Sequence, residues 1–220
     1  MTTELNEIEV RVLGSLVEKQ VTTPEYYPLT LNALTLACNQ KNNRNPVTSF
    51  SEDEVAQALE SLREKNLAYV FYGSTSRVPK YKHVMTEVLQ LNGAQLALLC
   101  VLMLRGSQTL GELRGNGSRL HEFSGLEEVE ATLNTLISRE PEPMAIRLPR
   151  QTGQKEARFA HLLSGEVHIE QMDEVRPSAR SAPGRNQAER IQEVETALQA
   201  LKEEFKVLQQ QFADFKKQFE

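Results

Sequence analysis

Hydrophobic residues between positions 51 and 83 follow a helical spacing first and a strand-like pattern afterwards. Ser51, with Glu54 three residues later, is typical of a helix capping box. Apolar residues then recur at the spacing of one helix face, at Val55, Leu59 and Leu62. The strand formers LAYVFY, the turn-prone GSTS and the short run YKHV come next. We therefore predict a helix, a strand, a loop and a returning strand.

The same order of patterns returns in the second half of the chain. After Phe123, an amphipathic helix is again followed by two strand-like runs, MAIRL and ARFAHL, on either side of a turn. The earlier helices match as well, with Ile8 to Leu16 corresponding to Ala94 to Leu102. Copy two lacks a counterpart of the segment NQKNNRNPVTSF. Two copies that differ by an insertion indicate a duplicated domain and not a solenoid.

These patterns predict the domain organisation of the chain. We expect a mainly α protein with small β-hairpins (α+β), built from two winged-helix domains in tandem. The first domain spans residues 1–88 and the second spans residues 89–164. Residues 165–187 contain proline, serine and glycine with little apolar periodicity, which indicates a linker. Residues 188–220 are predicted to form a C-terminal amphipathic helix.

The first helix of the second copy has an unusual hydrophobic pattern. After the candidate N-cap Asn92, it is apolar on nearly every side from Leu96 to Leu104. Such a helix is normally buried from several directions, so we expect cover from copy one or from another protomer. The glycine-rich run GNGSRL further on predicts a turn, because it lacks the other features of a phosphate-binding loop.

The C-terminal helix carries the most regular pattern in the chain. Apolar residues repeat every seven positions in two complementary registers, which is an a/d seam of about four heptads and roughly 40 Å of helix. The seam consists of Ile191, Val194, Leu198, Leu201, Phe205, Leu208, Phe212, Phe215 and Phe219. A helix does not expose such a seam to water alone. We expect it to form a homodimer or to dock on its own chain, and the bulky phenylalanines favour the looser arrangements.

Composition changes this picture little. Apolar residues make up 40% of the chain and charged residues 25%, as in ordinary globular proteins. The formal net charge of -5 does not indicate a nucleic-acid-binding protein, although a local basic patch can lie within an acidic total. The chain has neither a leader pattern nor an apolar run long enough to span a bilayer. We expect a cytoplasmic protein without membrane contact.

Candidate catalytic chemistry is sparse. The histidines are His83, His121, His161 and His168. They share no metal-ligand spacing with one another or with Cys38 and Cys100, which lie in apolar stretches typical of buried, reduced thiols. The sequence contains no hydrolase, metalloprotease or nucleotide-binding fingerprint. We therefore predict a protein that is not an enzyme and that has no catalytic residue, metal or cofactor.

One stretch carries a family resemblance. The run YYPLTLNALTLACNQKNNRNPV resembles the signature of the YceH-like proteins, a bacterial family of unknown function. The resemblance covers roughly Leu5 to Ser164, which includes both copies. It implies a tandem winged-helix fold and no established activity, so it supplies no catalytic or ligand-binding residue.

Positive charge concentrates on the predicted hairpins and on the loop before Ser51. The helix that would read the major groove begins with Glu52, Asp53 and Glu54, which disfavours that mode of docking. Basic hairpins can instead contact phosphates or the minor groove, although they also protect exposed strand edges from aggregation. The candidate DNA-binding residues are Lys41, Arg44, Arg77, Lys80, Lys82, Arg147, Arg150, Lys155 and Arg158. They predict sequence-tolerant association with duplex DNA, with a regulatory role.

A protein-assembly adaptor is the alternative function. In this interpretation another protein is the partner, and the binding surfaces are the apolar helix faces and the C-terminal helix. The apolar helix that contains Leu96 and the seam of residues 188–220 are the features that favour it.

Overall fold

A computed structural model describes residues 4–72, 78–150 and 156–165 of the 220-residue chain. The helices are α1 (Glu7–Thr22), α2 (Leu31–Cys38), α3 (Glu52–Glu64), α4 (Met85–Val88), α5 (Gly93–Arg105), α6 (Leu110–Gly117) and α7 (Leu126–Ile137), with a short 3₁₀ turn at Pro24–Tyr26. The strands are β1 (Ala68–Phe71), β2 (Lys80–His83), β3 (Ala145–Arg147) and β4 (Phe159–His161). The predicted linker after position 165 and the C-terminal seam lie outside the described residues.

Apart from the short helix α4, which lies between them, both halves of the described chain have the same element order. Three helices are followed by an antiparallel two-stranded hairpin, β1–β2 (hairpin 1) in the first half and β3–β4 (hairpin 2) in the second. A single bridging residue extends each hairpin at its second strand: Leu29 pairs with Tyr81, and Gln108 pairs with Phe159. The mixed α+β class with small hairpins is confirmed.

Side-chain caps explain where several helices begin. In α3 the Ser51 hydroxyl accepts a hydrogen bond from the Glu54 N–H at 3.3 Å, and the Glu54 carboxylate accepts one from the Ser51 N–H at 2.8 Å. This is the capping box that the sequence predicts. The predicted N-cap Asn92 forms the same reciprocal pair with Gln95 at the start of α5.

The first half of the chain covers the apolar helix α5. Every residue from Leu96 to Leu104 is buried, and one of the two hydrophobic clusters contains residues from both halves. Helix α1 contacts α5 at Gly14, whose carbonyl accepts a hydrogen bond from the Cys100 thiol at a sulfur-to-oxygen distance of 3.4 Å. Residues 4–165 therefore belong to one compact unit with a shared core.

Each hairpin carries a histidine at a matching position near the core. Ala68 is paired with His83 in hairpin 1, and Ala145 is paired with His161 in hairpin 2. The Nδ1 atoms of both histidines are buried without a hydrogen-bond partner among the described residues. Burial lowers the pKa of His83 to about 4 and that of His161 to about 4.

Because of these two histidines, we expect the protein to lose stability in mild acid. Unfolded histidine binds protons from about pH 6.5 downward, whereas the folded histidines do so only near pH 4. The unfolded state therefore gains protons first, and the free energy of unfolding falls as the pH decreases. Between pH 7.5 and pH 5.5 we expect a loss of about 1 kcal/mol for each histidine. Urea unfolding across this range measures it, and an equally steep loss in a His83→Gln/His161→Gln variant would contradict the assignment.

Candidate nucleic-acid interface

The nine predicted DNA-binding residues fall into groups with different surroundings. Arg77 and Lys155 lie outside the described residues. The other seven are divided between the loop that follows α2 and the two hairpins, and the structure separates those that keep an unpaired charge from those engaged inside the protein.

Arg44 is engaged inside the protein. Its residue is only 6% exposed, and its Nη2 lies 2.6 Å from the Glu18 Oε2 atom of α1. The same guanidinium donates hydrogen bonds to the Ala37 carbonyl at 2.8 and 3.1 Å. We therefore remove Arg44 from the candidate set, because a buried guanidinium that is already paired is not available to contact a phosphate.

Arg158 is also occupied by its own chain. Its Nη1 donates a hydrogen bond to the Ser107 carbonyl at 2.7 Å and lies 3.2 Å from the Glu112 Oε2 atom. The side chain is half-buried between α6 and the start of β4. We therefore remove Arg158 from the candidate set, because its charge is balanced by Glu112.

Hairpin 1 presents aromatic rings and lysines on one face. Tyr69 is paired with Lys82, and Phe71 is paired with Lys80, so the four side chains lie on the same side of the antiparallel pair. Tyr69 is 57% exposed and Phe71 is 43% exposed. The Lys82 Nζ atom lies 5.6 Å from the centre of the Tyr69 ring, within the range of a cation–π contact. Neither lysine forms an ion pair with a described carboxylate.

Hairpin 2 and the loop after α2 carry the remaining cations. Arg147 is exposed, and its guanidinium carbon lies 5.9 Å from the centre of the Phe159 ring. Arg150 and Lys41 are exposed as well. Within the described part of the chain, none of the three forms an ion pair.

The N-termini of α3 and α7 are acidic, and in each first turn a carboxylate accepts hydrogen bonds from a serine that precedes the helix. Glu54 accepts hydrogen bonds from the Ser51 N–H and hydroxyl, which hold the pKa of Glu54 below its usual range. Glu128 accepts the corresponding bonds from Ser124, and the pKa of Glu128 is lowered for the same reason. Carboxylates at a helix N-terminus interact favourably with the helix dipole. Here they also place negative charge where a helix bound in the major groove would need hydrogen-bond donors or cations to contact DNA.

Catalytic and metal chemistry has little support in the described residues. Both cysteines are free and buried, as predicted, and burial raises the pKa of Cys38 to about 11 and raises that of Cys100 further. Thiols in this state are poor nucleophiles. Across the described ranges, histidine, cysteine and carboxylate side chains do not gather in groups of three that could hold a metal ion. No helix in these ranges is both long and apolar enough to cross a membrane.

The aromatic and lysine face of hairpin 1 is not among the sequence predictions. The lysines are recognisable from the sequence as basic residues, but their position beside Tyr69 and Phe71 is not. The signal is present as a period of two in each strand, because Tyr69 and Phe71 alternate on one strand while Lys80 and Lys82 alternate on the other. Only the pairing register shows that the two sets share a face.

Comparison with known proteins identifies close relatives without an assigned activity. A family model described as "Protein of unknown function, DUF480" matches residues 5–154. A "UPF0502 protein" from Geotalea uraniireducens is 50% identical over 222 residues and covers 100% of both chains. Another from Opitutus terrae is 50% identical over 198 residues, with 90% of this chain and 83% of the relative covered. A third, from Vibrio atlanticus, is 44% identical and covers 93% of this chain and 94% of the relative. These matches confirm the resemblance to an uncharacterised bacterial family.

Proposed function

Because the chain belongs to the DUF480 family, whose function is unknown, we propose its function from the features of its surface. It is a tandem winged-helix protein that associates with duplex DNA through its hairpins. The association does not select a base sequence. Two features support the fold part of the proposal. Each half has three helices followed by a hairpin, and each hairpin is extended by a bridge to the segment between the first and second helices. This order is that of a helix-turn-helix with a β wing.

One observation carries the proposed binding mode. Each hairpin region carries two cations that form no ion pair with a described carboxylate, Lys80 and Lys82 in hairpin 1 and Arg147 and Arg150 in and after β3 of hairpin 2. Unpaired cations on projecting hairpins can contact phosphates on the outside of the duplex, and such contacts carry no sequence information. The association is therefore electrostatic and tolerant of sequence.

The charge on the surface of α3 argues against base reading. Glu52, Asp53 and Glu54 are exposed at the start of α3, and the Arg63 guanidinium near its end is paired with Glu60. An α3 helix placed in the major groove would bring these carboxylates close to the phosphates. Docking through the hairpins avoids that repulsion.

The adaptor alternative has less support. Helix α5, one of the apolar surfaces that favoured it, is buried against α1 of the same chain and offers no free face from Leu96 to Leu104. The other surface, the C-terminal seam, lies outside the described residues. We therefore place DNA association first.

Fluorescence anisotropy with two unrelated duplexes in low salt tests the proposal. We expect equal affinities for both duplexes within about threefold, because the contacts are to phosphates. A variant with Lys80, Lys82, Arg147 and Arg150 replaced by alanine should bind at least about 100-fold more weakly. Arg114→Ala, which removes an exposed cation from α6, is the matched control and should change affinity little.

A further variant separates the two modes of docking. Arg63→Ala removes a cation from the exposed face of α3. Hairpin docking predicts an affinity close to that of the unmodified protein. Strong weakening by Arg63→Ala, together with a marked preference between the two duplexes, would mean that α3 reads the groove and that the proposal is wrong.

A further inference from the structure

We propose that the outer face of hairpin 1 stacks unpaired bases, so that the protein binds DNA with a single-stranded segment more tightly than a fully paired duplex. This inference rests on the proposed function and specifies its substrate. The face consists of Tyr69, Phe71, Lys80 and Lys82, which we call the aromatic–lysine face. Two cross-strand pairs, each joining one ring and one ammonium group, place the rings on one strand and the cations on the other.

Neither strand pairing nor packing of the core requires the Tyr69 and Phe71 rings to be exposed. The inward side of the same hairpin already supplies the core contacts, since Ala68 and His83 are buried there. Tyr69 and Phe71 nevertheless remain 57% and 43% exposed. Large aromatic side chains exposed together on one face of a sheet typically mark an interaction surface.

The second half of the chain provides an internal comparison. The pair that corresponds to Tyr69 and Lys82 is Ile146 and Ala160, which has neither a ring nor a charge. Next to it, the Leu148 N–H donates a hydrogen bond to the Arg158 carbonyl at 2.8 Å, at the place of Phe71 and Lys80. Leu148 is buried, and Arg158 is paired with Glu112. The same element order therefore forms without an aromatic–lysine face.

The chemistry of this face fits one kind of occupant. A flat, π-faced group that carries negative charge nearby can stack on the rings while its charge meets the lysines, and a nucleotide has both parts. In a duplex the base faces are already stacked on one another, so only an unpaired base can reach Tyr69 and Phe71. Stacking on aromatic side chains tolerates any base, which agrees with sequence-tolerant binding. Lys82, already 5.6 Å from the Tyr69 ring centre, is placed to contact the phosphate of a stacked nucleotide.

Anisotropy measurements with an oligothymidylate strand of about 16 nucleotides and a duplex of equal length test the inference. We expect the full-length protein to prefer the single strand. Tyr69→Ala/Phe71→Ala should weaken single-strand binding by about 10- to 100-fold and change duplex binding by less than about threefold. Leu126→Ala, which truncates an exposed apolar side chain on α7, is the control and should leave both affinities unchanged.

The rescue variant Tyr69→Trp/Phe71→Trp retains flat rings and should restore single-strand binding. Restoration shows that the alanine variant lost stacking and not its fold. Equal affinity for both nucleic acids, or equal weakening of both by the alanine variant, would overturn this inference and leave the proposed function in place. Failure to bind either nucleic acid in low salt would overturn the proposed function and this inference with it.

Discussion

Replacing Glu18 with glutamine is expected to lower the free energy of unfolding by about 3–5 kcal/mol. The Arg44 side chain is fully buried, and the Glu18 carboxylate at 2.6 Å is its charge partner. Glutamine has a similar shape but leaves the guanidinium charge without compensation in a poorly solvated site. Removing one member of a buried ion pair costs far more than the pair contributes to stability, because the remaining charge stays desolvated.

The effect of Glu18→Gln should extend beyond the ion pair. The loop that contains Arg44 contacts the second half of the chain, where the Asn45 N–H donates a hydrogen bond to the Leu104 carbonyl at 2.9 Å. The adjacent Asn43 accepts a hydrogen bond from the Arg105 guanidinium. The network therefore connects α1, the loop after α2 and the end of α5, and we expect its loss to destabilise both halves together.

Chemical denaturation of the full-length protein measures the change. The control is Arg63→Ala, which breaks an exposed ion pair with Glu60 and should cost no more than about 0.5 kcal/mol. A second variant, Glu18→Leu/Arg44→Met, removes both charges and should recover most of the stability that Glu18→Gln loses. A Glu18→Gln protein no less stable than Arg63→Ala would refute the importance of the buried pair.

Replacing Gly14 with leucine is the second large destabilisation that we expect. A Cβ atom at this position would lie 3.0 Å from Leu104 Cδ2 and 3.2 Å from Met103 Cβ of α5. Even a methyl group makes a tight contact there, and the full leucine side chain requires α1 and α5 to separate. Overpacking of this kind typically costs about 1–3 kcal/mol, and we expect the upper end because Leu104 is buried and cannot move into solvent.

Gly115→Leu is the matched control for this substitution. Gly115 is an exposed helical glycine in α6, and a Cβ there would meet no atom within 4 Å. The gain in helix propensity, about 0.5–1 kcal/mol, should make this variant as stable as the unmodified protein or slightly more so. Thermal unfolding of the two variants compares them directly. If Gly14→Leu unfolds at the same temperature as Gly115→Leu, α1 and α5 do not pack as closely as described.

Local signals in the sequence were sufficient to predict most of the elements. The capping residues Ser51 and Asn92 lie at the predicted helix starts because a cap depends only on the next three residues. The turn predicted for the glycine-rich run GNGSRL is present at residues 118–120, but α6 continues through Gly117. A Cβ at Gly117 would lie 3.3 Å from the Phe123 ring, so this glycine is explained by close packing that no local pattern reveals.

The candidate site was less predictable because it depends on tertiary contacts. Arg44 lies among amide side chains in a polar loop, which is typical of an exposed position, but its partner Glu18 is in a different element and comes close only in the folded chain. The charge of Arg158 is likewise balanced by Glu112, which lies in a different element. Tyr69 and Lys82 required the pairing register before they could be placed on one face. Sequence patterns therefore identify the basic residues, but only the folded structure shows which of them are paired with carboxylates of the same chain.

The salt dependence of duplex DNA binding tests the proposed function most directly. The described cations that form no ion pair are Lys41, Lys80, Lys82, Arg147 and Arg150 among the predicted set. Contacts from these five predict that the logarithm of the association constant falls with the logarithm of salt concentration at a slope of about -4 to -5. Replacing the four hairpin cations with alanine should reduce the magnitude of that slope by about 3 to 4. An unchanged slope in the four-residue variant would contradict binding through the hairpins.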